Sequence, residues 1–294
     1  MTGRDRAKAR PVAVELALDL GALRDFVRER FPLWATVPIA GLLHGAPASL
    51  GRTSPAEVAE GTLATFVGLL CLRIADDLAD LGRDRALHPR RGLCSGRIDP
   101  ARLLHANLAL GAALVVLEST SGWRLGIFLG GCAFYRAWLS RWRAQVHPVV
   151  RPFLSNLVFP LAVLHGAGPG AWRPALLLGL FAWLTAVAHE FAHNVRTPEE
   201  DGPLGPGYAR ALGARGTAIL GAVLFAAAAL VAVLLWGVLG RPPVFGGALV
   251  AASAGMAFFL ARLLRDRGSV SARSLYRAGI VFALVPALGL LVGG

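Results

Sequence analysis

Long apolar stretches alternate with short polar breaks along almost the whole chain. A transmembrane helix needs about 20 mostly apolar residues, and nine stretches approach that length. They span approximately residues 32–48, 57–82, 101–119, 123–143, 151–168, 171–195, 213–239, 243–264 and 273–292. Breaks rich in Gly and Pro or in charged residues separate them, as at residues 166–170 and 240–243. The pattern therefore predicts an all-α membrane protein with nine transmembrane helices.

The first 31 residues have a different pattern, because charged side chains interrupt their apolar positions. Residues 12–31 mix apolar positions with acidic and basic ones, from Glu15 to Arg30. A cleavable signal peptide needs an uninterrupted apolar core at this place. We therefore expect a cytoplasmic amphipathic segment over residues 1–31, followed by a single membrane domain over residues 32–294.

The breaks between the predicted helices alternate in positive charge. The four breaks after predicted helices 1, 3, 5 and 7 hold one arginine each, whereas those after helices 2, 4, 6 and 8 hold two to five. The sparse set is Arg52, Arg124, Arg173 and Arg241, and the rich set is Arg83, Arg85, Arg90, Arg91, Arg97, Arg141, Arg143, Arg196, Arg210, Arg265 and Arg267. Because basic loops stay in the cytoplasm, the pattern predicts a cytoplasmic N-terminus.

Composition agrees with a membrane protein and argues against two other classes. The 294 residues are 55% hydrophobic and only 16% charged, against roughly 25% charged in soluble domains. The net charge of +12 is a feature of nucleic-acid-binding proteins, but here the arginines lie in short loops between apolar stretches. The three cysteines, Cys71, Cys94 and Cys132, have neither metal-site nor disulfide spacing and indicate small apolar fillers.

The first of two acidic clusters closes predicted helix 2. Asp76, Asp80 and Asp84 follow one another at i, i+4 and i+8, with Asp77 beside them, so a helix places them along one face. Neighbouring like charges on a helix repel by a few tenths of a kcal/mol per pair, which favours a bound cation. Hard oxygen ligands without cysteine favour Mg²⁺, which commonly joins one or two carboxylates to substrate phosphates. The alternative is a solvated helix end whose aspartates pair with neighbouring arginines.

The second cluster closes predicted helix 6, where Glu190 and Asn194 are also at i and i+4. Pro198 ends that helix, so Glu199, Glu200 and Asp201 belong to the next loop. His189, Glu190 and His193 also spell H-E-x-x-H, the motif in which two histidines bind zinc and the glutamate acts as base. Zinc would need a third protein ligand and would leave the first cluster unexplained. Two histidines packed at a helix end are the simpler interpretation.

These residues resemble the UbiA superfamily of intramembrane prenyltransferases. The family motif N/D-D-x-x-D-x-x-x-D is present as Asp76, Asp77, Asp80 and Asp84. Residues 88–98 are similar to the basic stretch H-P-x-R-P-L-x-x-G-x-I that follows it, with Gly92 where proline is usual. The second motif departs from the family, since Glu190, Asn194 and the loop acids replace its two or three helical aspartates. The resemblance covers the whole chain as architecture and about 40 residues as motif.

The resemblance implies an Mg²⁺-dependent enzyme with a prenyl diphosphate bound between the two clusters. The implied metal ligands are Asp76, Asp77, Asp80, Asp84, Glu190, Asn194 and Asp201, of which Asp76, Asp80, Asp84, Glu190 and Asn194 are the implied catalytic residues. The expected substrate-binding side chains are Arg91, Arg97, Asn156, Arg136 and Arg196. Five aromatic residues are candidates for a cavity wall that stabilises a carbocation: Phe134, Tyr135, Trp138, Phe181 and Trp183.

The expected reaction is transfer of the prenyl group to a small lipophilic acceptor. A terpene cyclase on the same fold is the first alternative, because it shares the ionisation step. An intramembrane zinc protease and a non-catalytic transporter are the others, although transporters bind near the bilayer midplane and these acids lie at helix ends. We expect a multi-pass protein of a bacterial cell membrane, with its site facing the cytoplasm, no nucleic-acid partner and no obligate protein partner.

Overall fold

The computed structural model describes residues 20–51, 53–193, 195, 207–240, 242–266 and 269–293. Every regular element within these ranges is helical. The α-helices are α1 (Leu20–Arg30), α2 (Leu33–Ala48), α3 (Pro55–Ala79), α4 (Leu81–Leu87), α5 (Pro100–Glu118), α6 (Gly122–Ala137), α7 (Arg143–Gln145), α8 (Arg151–Ser155), α9 (Val158–Ala167), α10 (Trp172–His193), α11 (Gly207–Val238), α12 (Pro243–Asp266) and α13 (Ser269–Gly293). A π-helical turn, Trp138–Trp142, joins α6 to α7.

Six helical segments of the described chain are long and apolar enough to cross a membrane. They are Pro55–Ala79, Pro100–Glu118, Pro148–Ala167, Pro169–Ala192, Arg210–Val238 and Pro243–Arg265. The other three predicted spans fall on α2, on α6 with its continuation, and on α13. Of these, α2 has only 16 residues, with two prolines inside it, and α6 gives way to the π turn after 16. The count of nine spans and the cytoplasmic N-terminus therefore stay predictions.

The helix starts follow from local sequence. Ser54 caps α3 by accepting a hydrogen bond from the N–H of Glu57, whose side chain in turn accepts one from the N–H of Ser54 at 2.7 Å. This reciprocal pair satisfies two backbone donors that a helix end leaves open. Asp99 caps α5 through the N–H of Ala101 at 2.9 Å. In both helices a proline occupies the first turn, where its missing N–H has no helical partner to lose.

The described part of the predicted N-terminal segment is the helix α1, and it packs against the membrane domain. Phe26 is fully buried and Phe31 is 4% exposed. They belong to a small hydrophobic core whose other members come from α3, the following loop and α5: Leu70, Ile74, Leu93, Ile98 and Leu103. The apolar face of α1 is thus occupied by protein, and α1 is fixed beside the end of α3.

A larger core is formed by the five helices α9, α10, α11, α12 and α13, and α2 packs against it. Its centre is aromatic, because the ring of Phe282 lies 5.4 Å from that of Phe181 and 6.0 Å from that of Phe225. At one place the helices are closer than ordinary side chains allow. A Cβ at Gly61 would lie 2.0 Å from the ring of His44, so α3 needs glycine there to receive that ring.

A buried polar cluster joins the ends of α3, α5, α6 and α9 opposite the aspartates. Glu118 is fully buried and accepts hydrogen bonds from Arg124 Nε at 2.7 Å and Nη2 at 3.2 Å. The same guanidinium reaches Glu60 at 2.8 Å, and His165 Nε2 lies 3.1 Å from Glu118. We call Glu60, Glu118, Arg124 and His165 the distal cluster. It ties α5, α6 and α9 together through Glu118, and α3 joins them through Arg124.

The distal cluster gives a stability prediction. Changing Arg124 to Met leaves Glu118 buried without its main counter-charge, which should cost about 3 kcal/mol or more and lower the unfolding temperature in detergent by several degrees. The matched control is Arg102→Met, because Arg102 pairs with Asp99 at an exposed site, where such pairs contribute little. Equal unfolding temperatures for the two variants would contradict the assigned role.

Candidate active site

Four aspartates gather where α3 passes into α4. Asp80 ends α3 with φ −91° and ψ 2°, and α4 begins at Leu81. The N–H of Asp80 donates to the carbonyl of Asp76 at 2.9 Å, and the N–H of Asp84 donates to that of Asp80 at 2.8 Å. The helical path is therefore almost continuous through the bend. The four carboxylates nevertheless divide into two pairs, because they contact different cations.

Asp76 and Asp80 share the guanidinium of Arg143. Arg143 Nη1 lies 3.2 Å from Asp76 Oδ1, and Nη2 donates to Asp80. The π turn brings this arginine into place, because it joins α6 to α7, where Arg143 is the first residue. Such turns are rare in proteins overall, but those that occur are often found at functional sites. One cation thus offsets the repulsion between two carboxylates of the first motif.

Asp77 and Asp84 contact other cations. Asp77 is buried and accepts two hydrogen bonds from Arg30, at 2.7 and 3.1 Å, and it also pairs with Arg73 at 3.0 Å. Asp84 pairs with Arg91. These two aspartates and the side chains of Arg30 and Arg91 line one small pocket. The single acidic face expected from the spacing is thus split, with Asp76 and Asp80 at Arg143 and Asp77 and Asp84 towards α1.

The second motif approaches the first through Glu190. Asn156 Nδ2 donates to Glu190 Oε2 at 2.8 Å and to the carbonyl of Pro152 at 2.7 Å. The carboxylates of Asp76 and Glu190 interact electrostatically with one another and with the hydroxyl of Tyr135. Glu190 of α10 and Tyr135 of α6 therefore contact adjacent residues, Asn156 and Ser155, where α8 ends. Tyr135 itself is fixed by a hydrogen bond from its hydroxyl to the carbonyl of Ser155.

An apolar cavity of about 110 Å³ extends from Tyr135 into the bundle, and α3, α5, α6 and α9 form its walls. On α6 it extends from Ile127 to Tyr135, a length of about 12 Å at 1.5 Å per residue. Its far end contains Glu118 and His165 of the distal cluster. The cavity therefore extends from Tyr135 to the distal cluster between almost wholly apolar walls.

Arg136 lies apart from these carboxylates. It is exposed and lines an open groove of about 1100 Å³ between α3, α5 and α6. Cys71, Leu72, Phe128, Cys132 and Tyr135 line both this groove and the inner cavity. Arg97 also lies away from Asp76 and Asp80, because it pairs with Glu29 of α1.

Several predicted site residues fall outside the described part of the chain. They are Asn194, Arg196, Glu199, Glu200 and Asp201, together with the side chain of His193. In α10, the next residue before Glu190 is His189, whose Nδ1 lies 2.9 Å from the position of a Cβ at Gly279. His189 therefore packs towards α13, whereas Glu190 contacts Asn156.

The carboxylates that converge here have the donor chemistry of a magnesium site. Within the described residues, no three His, Cys, Asp or Glu side chains are grouped so as to enclose a metal ion. Magnesium does not require such a group, because it usually takes one or two protein carboxylates and completes its shell with water and substrate phosphates. Asp76 and Asp80 already converge on one cationic group, so this pair fits a magnesium ion bound together with a diphosphate.

The aromatic residues expected at the cavity are only partly there. Tyr135 lines it, and Phe128, which the sequence did not single out, does so too. Phe181 packs in the large core, and the indole N–H of Trp183 donates to the carbonyl of Phe153 at 2.7 Å. The more important omission is Arg143, which the sequence indicated only as a basic loop residue. Its position depends on the π turn, which has no recognisable sequence pattern.

Comparisons with known proteins identify the family and the fold of the chain. A family model described as the UbiA prenyltransferase family matches residues 35–287. A search of curated proteins finds no match. The chain is similar to a solved structure described as a digeranylgeranylglyceryl phosphate synthase in membranes, with a TM-score of 0.70 and 16% identity over 93% of this chain and 98% of that one. At that identity the likeness establishes a shared fold.

The shared guanidinium leads to a prediction about cation binding. Changing Arg143 to Gln removes the positive group from between Asp76 and Asp80, so a divalent cation no longer competes with it. We expect Mn²⁺, titrated alone into the purified protein and followed by electron paramagnetic resonance, to bind several-fold more tightly. Arg141→Gln is the matched control, because Arg141 is exposed in the outer groove. Equal affinities in both variants would show that Arg143 does not compete for the site.

Proposed function

The chain belongs to the UbiA prenyltransferase family, and on that premise we propose that it is an Mg²⁺-dependent enzyme of prenyl transfer. In this proposal it ionises an allylic prenyl diphosphate and transfers the prenyl group to a small lipophilic acceptor. The observation that supports it most is that Asp76 and Asp80 share one guanidinium, in a bundle that also contains an almost wholly apolar cavity.

The protein is an integral membrane protein, as its six apolar helices and its family indicate. We propose that the carboxylates face the cytoplasm, because the arginine-rich breaks lie at the same ends of the helices as the acids. A bacterial cell membrane and a lipophilic acceptor that enters from the bilayer belong to the same proposal.

Within this proposal Asp76, Asp80 and Glu190 would hold the metal with the diphosphate. When bound, Mg²⁺ would neutralise negative charge on the diphosphate leaving group. Asn156 orients the Glu190 carboxylate, because its amide is itself held by the carbonyl of Pro152. Asp77 and Asp84 keep the motif in place through their arginine partners. Asn194 and Asp201 stay predicted ligands, and Arg196 a predicted phosphate contact, since they lie outside the described residues.

Arg143 is the diphosphate-binding arginine that the geometry favours over Arg91 and Arg97. Its guanidinium already lies between Asp76 and Asp80, whereas Arg91 and Arg97 contact Asp84 and Glu29. A guanidinium can donate two parallel hydrogen bonds to phosphate oxygens. With Asp76 and Asp80 holding the metal ion, Arg143 would be the guanidinium nearest to them that could bind the diphosphate.

The cavity would receive the prenyl chain. Its apolar walls keep water from the carbocation that forms when diphosphate leaves, so that capture by water is avoided. The ring of Tyr135 at the entrance is placed to stabilise positive charge by its π face. Leu69, Phe128, Leu161 and their neighbours then contact the hydrocarbon.

The test of function combines turnover with ligand binding. Purified protein is incubated with Mg²⁺ and allylic prenyl diphosphates, with and without aromatic or lipid acceptors, and the products are identified by mass spectrometry. We expect diphosphate release that depends on Mg²⁺, together with a prenylated acceptor. Cyclic hydrocarbon without acceptor would indicate the cyclase alternative, and no diphosphate release from any donor would overturn the proposal.

Asp80→Asn tests the metal site without relying on turnover. Mg²⁺ with inorganic diphosphate should raise the unfolding temperature of the unchanged protein by about a few degrees, because ligands that bind only the folded state stabilise it. Asp80→Asn should lose this rise, since one of the two converging carboxylates is gone. Asp99→Asn, at an exposed helix cap, is the control and should retain it. An equal rise in both variants would exclude Asp80 as a ligand.

The cavity gives a prediction about substrate length, and two adjacent glycines provide its control. Gly131 lines the cavity, where an added Cβ makes ordinary contact with Leu161 at 3.5 Å, whereas Gly130 is exposed with open space beside it. Gly131→Leu should reduce turnover of the longer prenyl diphosphates roughly tenfold or more, about 1.4 kcal/mol in the barrier, and affect the shortest least. Gly130→Leu should leave all of them unchanged. Uniform loss in both variants would place the prenyl chain elsewhere.

A further inference from the structure

The last two residues of α1 contact the first motif and the loop that follows it. Arg30 donates two hydrogen bonds to Asp77 near the end of α3, at 2.7 and 3.1 Å. The hydrogen bond to Asp77 raises the pKa of Arg30, so this guanidinium stays charged. Glu29 faces the loop over residues 88–98, where it accepts from the N–H of Gly92 and pairs with Arg97. One turn of helix thus holds both the acidic helix and the loop that follows it.

The contact of Glu29 with the loop requires glycine at position 92. The N–H of Gly92 donates to both carboxylate oxygens of Glu29, at 2.8 and 3.1 Å. Proline, which is usual at this position of the basic stretch, has no N–H to donate. A Cβ at Gly92 would also lie 2.8 Å from Glu29 Oε2 and 2.9 Å from Ile98 Cδ1. Glycine and glutamate therefore fit one another here by hydrogen bonding and by space.

The same loop is attached to the acids on its other side. Arg91, the residue before Gly92, pairs with Asp84 of α4. Leu93 and Ile98 of the loop are buried against Phe26 of α1 in the small core. The loop is therefore held by Glu29 from α1, by Asp84 from α4 and by apolar packing beneath it. These contacts keep Arg91 on Asp84 and away from Asp76 and Asp80.

We infer that Glu29 is a positioning residue, which fastens the loop over residues 88–98 to α1 and so keeps the carboxylate end in the arrangement that receives the diphosphate. This inference rests on the proposed function. Glu29 itself touches neither Asp76 nor Asp80. It acts through Gly92 and Arg97, so its loss weakens the attachment of the loop to α1 while the apolar contacts of Leu93 and Ile98 remain.

The first test needs no substrate. The loop contains Arg90, Arg91 and Arg97, which are sites for trypsin, and cleavage follows the population of the open loop. Glu29→Ala should accelerate tryptic cleavage at these arginines about tenfold in the purified protein, at an unchanged unfolding temperature. Asp25→Ala is the control on the same helix, because Asp25 pairs with Arg24 at an exposed site. Equal cleavage in both variants would overturn the inference whatever reaction the protein catalyses.

The second test separates positioning from folding. Glu29→Ala and Gly92→Pro should each raise the KM for the prenyl diphosphate about tenfold and leave kcat per folded enzyme nearly unchanged. The double variant should be no worse than Gly92→Pro alone, because that variant has already lost the hydrogen bond between Gly92 and Glu29. Glu29→Gln retains an acceptor for Gly92 and should fall between. Additive losses, or lower kcat with unchanged KM, would overturn the inference, whereas no turnover by the unchanged protein would count against the proposed function alone.

Discussion

Repulsion among four closely spaced carboxylates is the constraint around which one end of the bundle is organised. Nothing in a helix relieves it, because successive turns bring Asp76, Asp80 and Asp84 near one another. The fold supplies a guanidinium for each part of the cluster from four different places. Arg143 comes from α7, directly after the π turn, Arg30 from α1, Arg73 from α3 itself and Arg91 from the loop. Elements far apart in sequence therefore meet at this point.

The way the charges are shared separates two tasks within one motif. Asp77 is buried and has two arginine partners, so releasing it would leave charges unpaired at substantial cost. Asp76 and Asp80 share a single arginine that comes from another helix, and a cation that arrives with an anionic ligand can take its place. Under the proposed function, the acids towards α1 hold the structure and the acids towards Arg143 meet the substrate.

The sequence predicted the main features that follow from local patterns. The apolar stretches fall on helices, and both acidic motifs lie at helix ends, because length, hydropathy and the i, i+4 spacing are local properties. It did not predict the partners of individual acids. Whether Asp77 meets Arg30, or Asp80 meets Arg143, depends on the rotation of helices relative to one another and on contacts between residues 47 and 63 positions apart. The division of the first motif and the Glu29 contact could not be inferred for the same reason. The family resemblance, in contrast, depended on a motif within one short segment.

The π turn after α6 has an evolutionary consequence. Each residue added to a helix rotates all that follow by about 100°, and a π turn takes up one such residue without ending the helix. The directions in which side chains leave the helix axis are therefore set separately before the turn, at Phe128 and Tyr135, and after it, at Arg143. Gain or loss of the extra residue would redirect Arg143 while the α6 wall of the cavity stayed unchanged. Under the proposed function, proteins that descend from a common ancestor can in this way change the arginine at the carboxylates and the wall that contacts the prenyl chain independently of each other.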